Sequence, residues 1–349
     1  MRWRSVLSEA YRNLVSGTTR GVLFAVLLTA VVAGLAITDA RAIRTLQRQA
    51  ADFTGSGASV QVMVARDSTD PVACERLRNI TGVRSAGALR PTDAVVLRAM
   101  LGNPIQAYAV TPGLISVLGG DSAAPAGAWL PAELARTLGV RPGQQLATTT
   151  GALSIAGVYD YPDDGRDSRL TYAALLPEPV HGTFDECWAD VWPVSASREA
   201  LLHTALTVDS TSADPVTVGQ LNTSRGQRCD GEQAFTDRPT RYALPACALA
   251  GLLLGFTAIR LRRLEIAGAL HLGESRRALL ATVLIETAVW AGAAVLLAAC
   301  ALVLGSGSLD VFAIDVRGPL AAAPGAVLGA LLAAFTIREK HLFAYFKNR

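Results

Sequence analysis

The sequence predicts a membrane protein with four transmembrane α-helices and an α+β extracytoplasmic domain inserted between helices 1 and 2. Hydrophobic residues make up 51% of the chain and charged residues only 17%, and the charges are unevenly distributed. This composition is typical of a membrane protein that carries a water-facing segment. Four apolar runs are long enough to cross the hydrocarbon core of a bilayer, which is about 30 Å thick and requires roughly 20 helical residues. The runs cover residues 21–37, 242–259, 278–304 and 320–337.

The first element, residues 1–20, is predicted to be a cytoplasmic amphipathic helix. Its apolar residues recur at helical spacing, at Leu7, Ala10, Tyr11 and Leu14. The basic leading region of a cleavable signal peptide would lack this pattern, although small residues do follow the apolar run. Residues 21–40 are therefore assigned to the first transmembrane helix rather than to a signal peptide.

The distribution of basic residues predicts the orientation in the membrane. Three basic clusters flank the apolar runs, and the positive-inside rule places all three in the cytoplasm. Both termini of this multi-pass cell-membrane protein are then cytoplasmic, and residues 41–241 lie outside. The clusters are Arg2, Arg4, Arg12 and Arg20, then Arg260, Arg262, Arg263, Arg276 and Arg277, then Arg338, Lys340, Lys347 and Arg349.

The apolar runs and the basic clusters together predict the remaining membrane segments. The predicted segments are helix 242–260, a cytoplasmic hairpin at 261–277, helix 278–304, an external loop at 305–318, helix 319–337 and a cytoplasmic tail at 338–349.

The outer segment is predicted to be an α+β domain on a helical stalk. Ile43, Leu46 and Ala50 keep helical spacing beyond the first span, until the Gly-Ser-Gly sequence at 55–57 breaks the helix. The alternating segment 59–65 predicts a half-buried strand. Mixed strands and helices in one segment are typical of an α+β fold. Further strand-like segments are 94–100, 105–110 and 154–159, and helical patterns cover 71–80 and 131–138.

The hairpin between the second and third spans has a patterned basic sequence. Residues 262–267 read RRLEIA, and Leu270, Gly273 and the Arg276-Arg277 pair follow. This resembles the "RR.EI…LGA.RR" loop of the MacB/FtsX superfamily of ABC transporter permeases. The outer segment is similar to the MacB-like extracytoplasmic domain of that family, and the order of one helix, a domain and three helices is the family's order. The outer stretches concerned are 108–113 (YAVTPG), 118–119, 130–139 (LPAELARTLG), 142–143 and 153–158.

The resemblance implies that the hairpin is the surface on which a cytoplasmic ATPase subunit sits. The charges alone allow a plainer interpretation, in which a basic loop only marks the topology. The chain has no G-x-x-x-x-G-K-[ST] phosphate loop, so ATP would bind to a partner subunit and this chain would need no cofactor. The expected ATPase-coupling residues are Glu265, Ile266, Leu270 and Gly273. The residues expected to anchor the hairpin at the lipid headgroups are Arg262, Arg263, Arg276 and Arg277.

The function implied by the resemblance is that of a permease subunit. It would assemble with two ATPase subunits and with a second copy of itself or a paralogous permease. ATP hydrolysis would drive extrusion of a peptide, antibiotic or lipid-like compound by transmitting motion to the extracytoplasmic domain. The alternative is an FtsX-like regulator that activates a cell-wall hydrolase, and a membrane receptor without an ATPase is disfavoured by the hairpin. An extracytoplasmic protein or peptide partner fits the first two, and a formal charge of +3 gives no reason to expect nucleic acid.

Glu286 is the costliest residue within the predicted spans. A carboxylate at the centre of a membrane helix costs about 2.5–3.5 kcal/mol on insertion scales, so Glu286 should face other helices or be protonated. Two interpretations stay open: a polar hinge or substrate contact, and a carboxyl hydrogen-bonded within the bundle near Thr282 or Trp290.

Glycines recur at four-residue spacing in two of the predicted spans. Gly251 and Gly255 lie in the second span, and Gly325 and Gly329 in the fourth. Each pair shares one helix face, where another backbone can come close, either in the same chain or in a dimer.

Three cysteines, Cys74, Cys187 and Cys229, lie in the outer segment, where one disulfide can form and one thiol is left over. On the resemblance to a MacB-like domain, Cys74 is expected to pair with Cys187, because the return segment 185–193 should rejoin the first βα unit. A Cys187–Cys229 bridge is the alternative.

No catalytic or metal centre is expected. The sequence YDYPDDGR at 159–166 lacks the alternating acidic ligands of a calcium loop, and Pro-Asp-Asp-Gly is an ordinary turn sequence. The four histidines show no ligand spacing.

Overall fold

The structure is a computed structural model that describes residues 3–121, 123, 126–207, 215–306 and 309–338, with the backbone alone at 306 and 309–311. Residues 339–349 of the predicted cytoplasmic tail and residues 307 and 308 of the predicted external loop lie outside the described part. The chain forms two compact units. One combines Met1–Gln47 with Glu232–Arg349, and the other is Arg48–Gly231.

The α-helices are numbered in chain order. They are α1 (Trp3–Val15), α2 (Gly21–Gly55), α3 (Pro71–Arg76), α4 (Pro112–Val117), α5 (Ala132–Leu138), α6 (Ala196–Glu199), α7 (Gly231–Asp237), α8 (Ala243–Leu261), α9 (Arg263–His271), α10 (Arg276–Ser306), α11 (Leu309–Asp315) and α12 (Arg317–Thr336).

Four helical stretches in the described part of the chain are long and apolar enough to cross a membrane. This confirms the four predicted apolar helices and supports assignment as a membrane protein. The stretches are Gly21–Gly55, Pro239–Leu261, Arg276–Gly305 and Phe312–Thr336.

Helices α8 and α12 touch backbone to backbone through the predicted glycine pairs. A Cβ atom built on Gly255 would lie 2.0 Å from the carbonyl oxygen of Ala326, and one on Gly329 would lie 2.0 Å from that of Leu252. Gly251 makes an equally close approach, 2.1 Å from the Ala322 carbonyl oxygen. Any side chain at these positions would push the helices apart. Of the two possibilities left open by the sequence, the glycines therefore serve packing within the chain.

Helix α2 packs along α10 through small and aromatic residues. The rings of Phe24 and Trp290 are 5.8 Å apart between centroids, and Leu28 and Val32 are buried among Ala291 and its neighbours. The ring pair fixes the start of α2 beside the middle of α10. The remaining turns of the two helices then meet over an alanine-rich face.

The strands of the second unit form one mixed sheet. In chain order they are β1 (Val60–Thr69), β2 (Val83–Val95), β3 (Ile105–Val110), β4 (Ala128–Pro131), β5 (Gln145–Thr148), β6 (Gly151–Tyr159), β7 (Ala174–Pro177), β8 (Phe184–Val191) and β9 (Thr217–Gln220). The order across the described sheet is β5-β6-β4-β7-β3-β2-β8-β1-β9. The β3–β7 and β4–β6 pairs are parallel and the other pairs antiparallel.

The sheet has an apolar core on both faces. Successive residues of β8 point to opposite sides, so Cys187 joins one cluster of buried residues and Trp188 the other. Strand β1 is consequently buried on both faces, which corrects the expectation that residues 59–65 form a half-buried strand. Cys74 on α3 forms a disulfide with Cys187, and Cys229 is a free thiol. Burial, followed by the charge of Asp230, raises the pKa of that thiol.

Candidate functional site

The hairpin between α8 and α10 is built around the short helix α9. Helix α8 ends at Arg262, whose backbone has φ −98° and ψ 14°, and α9 starts at the next residue. After α9, Gly273 takes φ +86°, and the N–H of Glu274 donates to the carbonyl of Ala269 at 3.1 Å. This is a glycine helix stop, and a side chain at Gly273 would strain the backbone. Gly273 was expected to contact a partner, and the structure gives it this local role.

Arg262 connects the hairpin to a carboxylate deep in the third apolar helix. Its Nε and Nη2 atoms donate to both oxygens of Glu265, at 2.9 and 2.7 Å. Its Nη1 atom donates to Oε2 of Glu286 at 2.5 Å. The other Glu286 oxygen accepts from Nδ2 of Asn13 at 2.8 Å. One guanidinium and one amide thus join α1, α9 and α10; we call these four residues the hairpin network.

The Arg262–Glu286 pair of the hairpin network lies largely out of solvent, whereas the Glu265 side chain is 51% exposed. The Glu286 side chain is 3% exposed and that of Arg262 13%. Burial lowers the pKa of Arg262, but the hydrogen bond to Glu265 and the charges of Glu286 and Glu265 outweigh it and raise the pKa overall. The guanidinium therefore stays charged, and it neutralises a carboxylate that would otherwise be isolated.

The sequence left the partner of Glu286 open, and the structure identifies it. Glu286 bonds to Arg262 and Asn13 rather than to Thr282, whose hydroxyl donates to the Ala278 carbonyl at 3.2 Å, or to Trp290. Arg262 was expected at the lipid headgroups, and in the structure its Nε, Nη1 and Nη2 atoms all donate to carboxylates. Asn13 was not singled out in the sequence. The sequence signal for the Arg262–Glu286 pair is a carboxylate within an apolar run, where the run begins just after a cluster of arginines.

Two of the expected ATPase-coupling residues on α9, Ile266 and Leu270, lie against the chain's own helices, and their role in coupling stays a prediction. Ile266 is 5% exposed and packs with Ile259, Leu279 and Val283, and Leu270 lies partly buried against the same cluster. Positions four apart share a helix face, and on α9 that face turns toward the chain's own helices. Leu272, which directly follows α9, is instead 89% exposed.

The remaining basic residues of the hairpin lie nearer the surface. Arg276 and Arg277 are exposed at the start of α10, and Arg263 is half-buried at the start of α9. These positions suit contact with lipid headgroups, which stays a prediction.

Helix α1 closes the other side of the hairpin network. Its Val6 and Ala10 are buried, and it packs on α10, so Asn13 is held at Glu286. A cavity of about 40 Å³ lies here, lined in part by Glu9, Glu274 and the hairpin network. Burial, followed by the charge of Glu9, raises the pKa of Glu274. The polar interior of the hairpin is therefore acidic apart from Arg262.

The Asp164 carboxylate of the sequence 159–166 is held by side chains around it. Arg166 pairs with the Asp164 carboxylate, with Nη2 to Oδ2 at 2.7 Å, and the Asn222 amide donates to Asp164. The hydrogen bond from Arg166 is the main cause that lowers the pKa of Asp164. The carboxylate is thus already neutralised by its own loop.

Comparison with known proteins gives similarity at low levels only. No protein-family description matches the chain, and no curated protein matches it. Among solved structures, the periplasmic region of MacB from Actinobacillus actinomycetemcomitans aligns at 10% identity and a TM-score of 0.34, covering 53% of this chain and 96% of that one. A domain of a proposed permease protein from Porphyromonas gingivalis aligns at 18% identity and a TM-score of 0.31, covering 47% of this chain and 90% of that one. At these TM-scores neither likeness carries an argument about function.

Proposed function

We propose that this chain is the permease subunit of an ABC transporter and that α9 receives the motion of a separate cytoplasmic ATPase. The observation that carries the proposal is the hairpin network. A short helix between two membrane-length helices is tied by buried charges to both α1 and α10, and it ends in an exposed leucine. A loop that only marked topology would need neither feature.

The hairpin network makes α9 suited to transmit force to α1 and α10. Arg262 directly precedes α9, and its guanidinium is bonded to Glu286 of α10. The same carboxylate accepts from Asn13 of α1. A displacement of α9 would therefore act on Glu286 through Arg262 and on Asn13 through Glu286. The Arg262–Glu286 hydrogen bond resists separation, because breaking it would leave the buried Glu286 carboxylate without its counter-charge. Displacement of the hairpin would therefore move α1 and α10 with it.

Helix α2 can carry motion out of the membrane. It runs without a break from Gly21 to Gly55, 35 residues, which is about 52 Å at the rise of an α-helix. A bilayer core takes only about 30 Å of this length. The helix ends shortly before β1, so the first strand of the sheet follows it directly along the chain.

The proposed assembly has two ATPase subunits and a second copy of this chain or a paralogue, with both termini in the cytoplasm. Transport would be extrusion of a peptide, antibiotic or lipid-like compound, with the sheet-containing unit as the outer working part. An extracytoplasmic protein or peptide could dock there. Activation of a cell-wall hydrolase is the competing outcome, and the identity of the co-purifying proteins separates the two.

The test is purification of the full chain from its native membranes, followed by identification of its partners and assay of ATP hydrolysis. We expect a soluble partner with a phosphate-binding loop, whose ATPase activity rises in the complex. Leu272→Asp should lower its binding about 10- to 140-fold, since burying a leucine contributes about 1.5–3 kcal/mol and 1.4 kcal/mol is tenfold.

Leu101→Asp is the matched control, an exposed leucine in the sheet-containing unit, and it should leave ATPase binding unchanged. Absence of any ATPase, or equal binding by the Leu272 and Leu101 variants, would remove the support for the proposal.

A further inference from the structure

Two buried aspartates lie at the end of the helical unit opposite the hairpin. Asp39 is on α2, about 27 Å along the helix from Gly21, and Asp315 is the last residue of α11. Only 7% of Asp39 and 5% of Asp315 is exposed. The hairpin joins the first residues of α10, whereas the carbonyl of Gly305 at its far end accepts a hydrogen bond from Arg44 of α2. The aspartates thus share the far end of the bundle.

The two carboxylates are unequally satisfied. Oδ1 of Asp39 accepts from Nε of Arg238 at 2.9 Å. Among the described residues, neither oxygen of Asp315 has a hydrogen-bond donor, although the group lies within hydrogen-bonding reach of Asp39. The two carboxyl groups can therefore bond to each other only if a proton lies between them.

The surroundings add two cations and an apolar wall. Among the described side chains, the charged groups that act on Asp315 are Asp39 and Arg44 of α2 and Arg238 of the segment before α8. The Nε atom of Arg44 is itself buried and finds no acceptor within the described part of the chain. The wall consists of Ala36, Ala40, Ile43, Leu302, Phe312 and Val316.

We propose that Asp39 and Asp315 form a proton-binding site. The Asp315 carboxyl holds the proton on one oxygen and donates it to the Asp39 carboxylate. Two adjacent carboxylates in a dry environment repel each other, and one shared proton replaces that repulsion with a strong hydrogen bond. A metal dication is disfavoured, because both flanking side chains are guanidinium groups.

The bound proton has a structural effect. It joins α11 to α2, and the Arg238 bond extends the connection to the segment that leads into α8. When the proton leaves for solvent, the Asp315 carboxylate is repelled by Asp39 and attracted to the unsatisfied Nε of Arg44. The end of α11 would then shift from one partner on α2 to the other. The site is distinct from the proposed ATPase contact and does not depend on it.

The direct test is infrared difference spectroscopy of the full chain in lipid nanodiscs during a pH titration. We expect a protonated-carboxyl band near neutral pH that shifts in deuterated buffer. The band should be lost in Asp315→Asn and in Asp39→Asn, because either variant leaves a single carboxylate beside arginine. Glu133→Gln, at an exposed glutamate, should keep it. A spectrum without the band, or a band that survives both aspartate variants, would overturn the proposal.

Thermal unfolding supplies a second readout. The asparagine of Asp315→Asn has an N–H donor that replaces the protonated carboxyl. Wild type should lose stability as pH rises through the neutral range, and the variant should show no such slope. If the variant fails to fold, Asp39→Asn in the infrared assay carries the test. An unchanged slope, or stabilisation of wild type by added Mg²⁺ without a carboxyl band, would refute proton binding.

Discussion

Removal of the Arg262 side chain should destabilise the helical unit strongly, although the sequence alone places this residue at the lipid headgroups. In Arg262→Ala, Glu286 would keep its burial and its Asn13 contact but lose its counter-charge. Breaking a buried ion pair by deleting one partner costs about 3–5 kcal/mol. A headgroup contact is worth only about 1 kcal/mol, so the two interpretations differ by a measurable amount.

The assay is thermal unfolding of the full chain in nanodiscs. At about 2–4 °C per kcal/mol for a unit of this size, the midpoint of Arg262→Ala should fall by roughly 6–20 °C. Arg277→Ala is the matched control, since that arginine is exposed at the start of α10, and it should change stability by no more than about 0.5 kcal/mol.

A double-mutant cycle isolates the ion pair. Glu286→Gln keeps a carbonyl acceptor for Asn13 and removes the charge, so Arg262→Met combined with Glu286→Gln should recover most of the loss seen with Arg262→Met alone. If the single changes simply add, or if Arg262→Ala costs less than about 1 kcal/mol, the hairpin is not held by this pair.

Three further changes test other parts of the structure. Gly255→Ala should lower the free energy of unfolding by about 1–3 kcal/mol or more, because the added methyl group forces α8 away from α12. Gly292→Ala is the control, since a Cβ there meets open space, and it should cause no such loss. Equal thermal-unfolding midpoints for the two variants would contradict the backbone contact. Cys74→Ala should lower stability in denaturant by about 2–5 kcal/mol, because the bridge closes a loop of 113 residues. The same loss on reduction of wild type, and none in Cys229→Ala, would be consistent, and no effect of Cys74→Ala would refute a stabilising bridge. The pKa of Glu274 is raised in the folded state, so folding stability falls as the pH rises through that pKa and the carboxyl ionises. Glu274→Gln should therefore unfold at a higher temperature than wild type at neutral pH and at the same temperature in acid. Identical unfolding temperatures for the two proteins at every pH would contradict this expectation.

The helical part of the fold could be predicted well because its signals are local. Apolar runs of bilayer length and the glycine spacing each reside in one segment, and the structure has helices and close contacts at those places. Strand β3 also matches the strand-like segment 105–110. Strand β2 does not, since it covers Val83–Val95 and was expected only from residue 94. Its sequence mixes Ser, Gly, Arg and Pro with small apolar residues, so no period of two is visible.

The candidate site could be predicted only in outline, because its chemistry depends on contacts distant in sequence. Asn13 and Glu286 are 273 positions apart, and nothing in either segment points to the other. Ile266 has the right spacing for a surface helix, but spacing cannot tell a partner's surface from the chain's own bundle. Leu272 was overlooked because it follows the periodic residues and lies in the turn. The aspartate pair was missed for the same reason as Asn13.

The glycine contact between α8 and α12 also determines where this protein can bend. Helices that meet through side chains can slide past each other when those side chains change rotamer. Helices α8 and α12 meet backbone to backbone and have no intervening side chains to adjust, so we expect them to move as one body. On the proposed function, motion delivered to the hairpin would then be taken up at backbone positions beyond this helix pair. The structure offers two, the break in helical geometry at Arg262 and the left-handed turn at Gly273. Helix α9 lies between these two positions, so it is the segment that can change its angle to α8 and α10 while the α8–α12 pair stays intact.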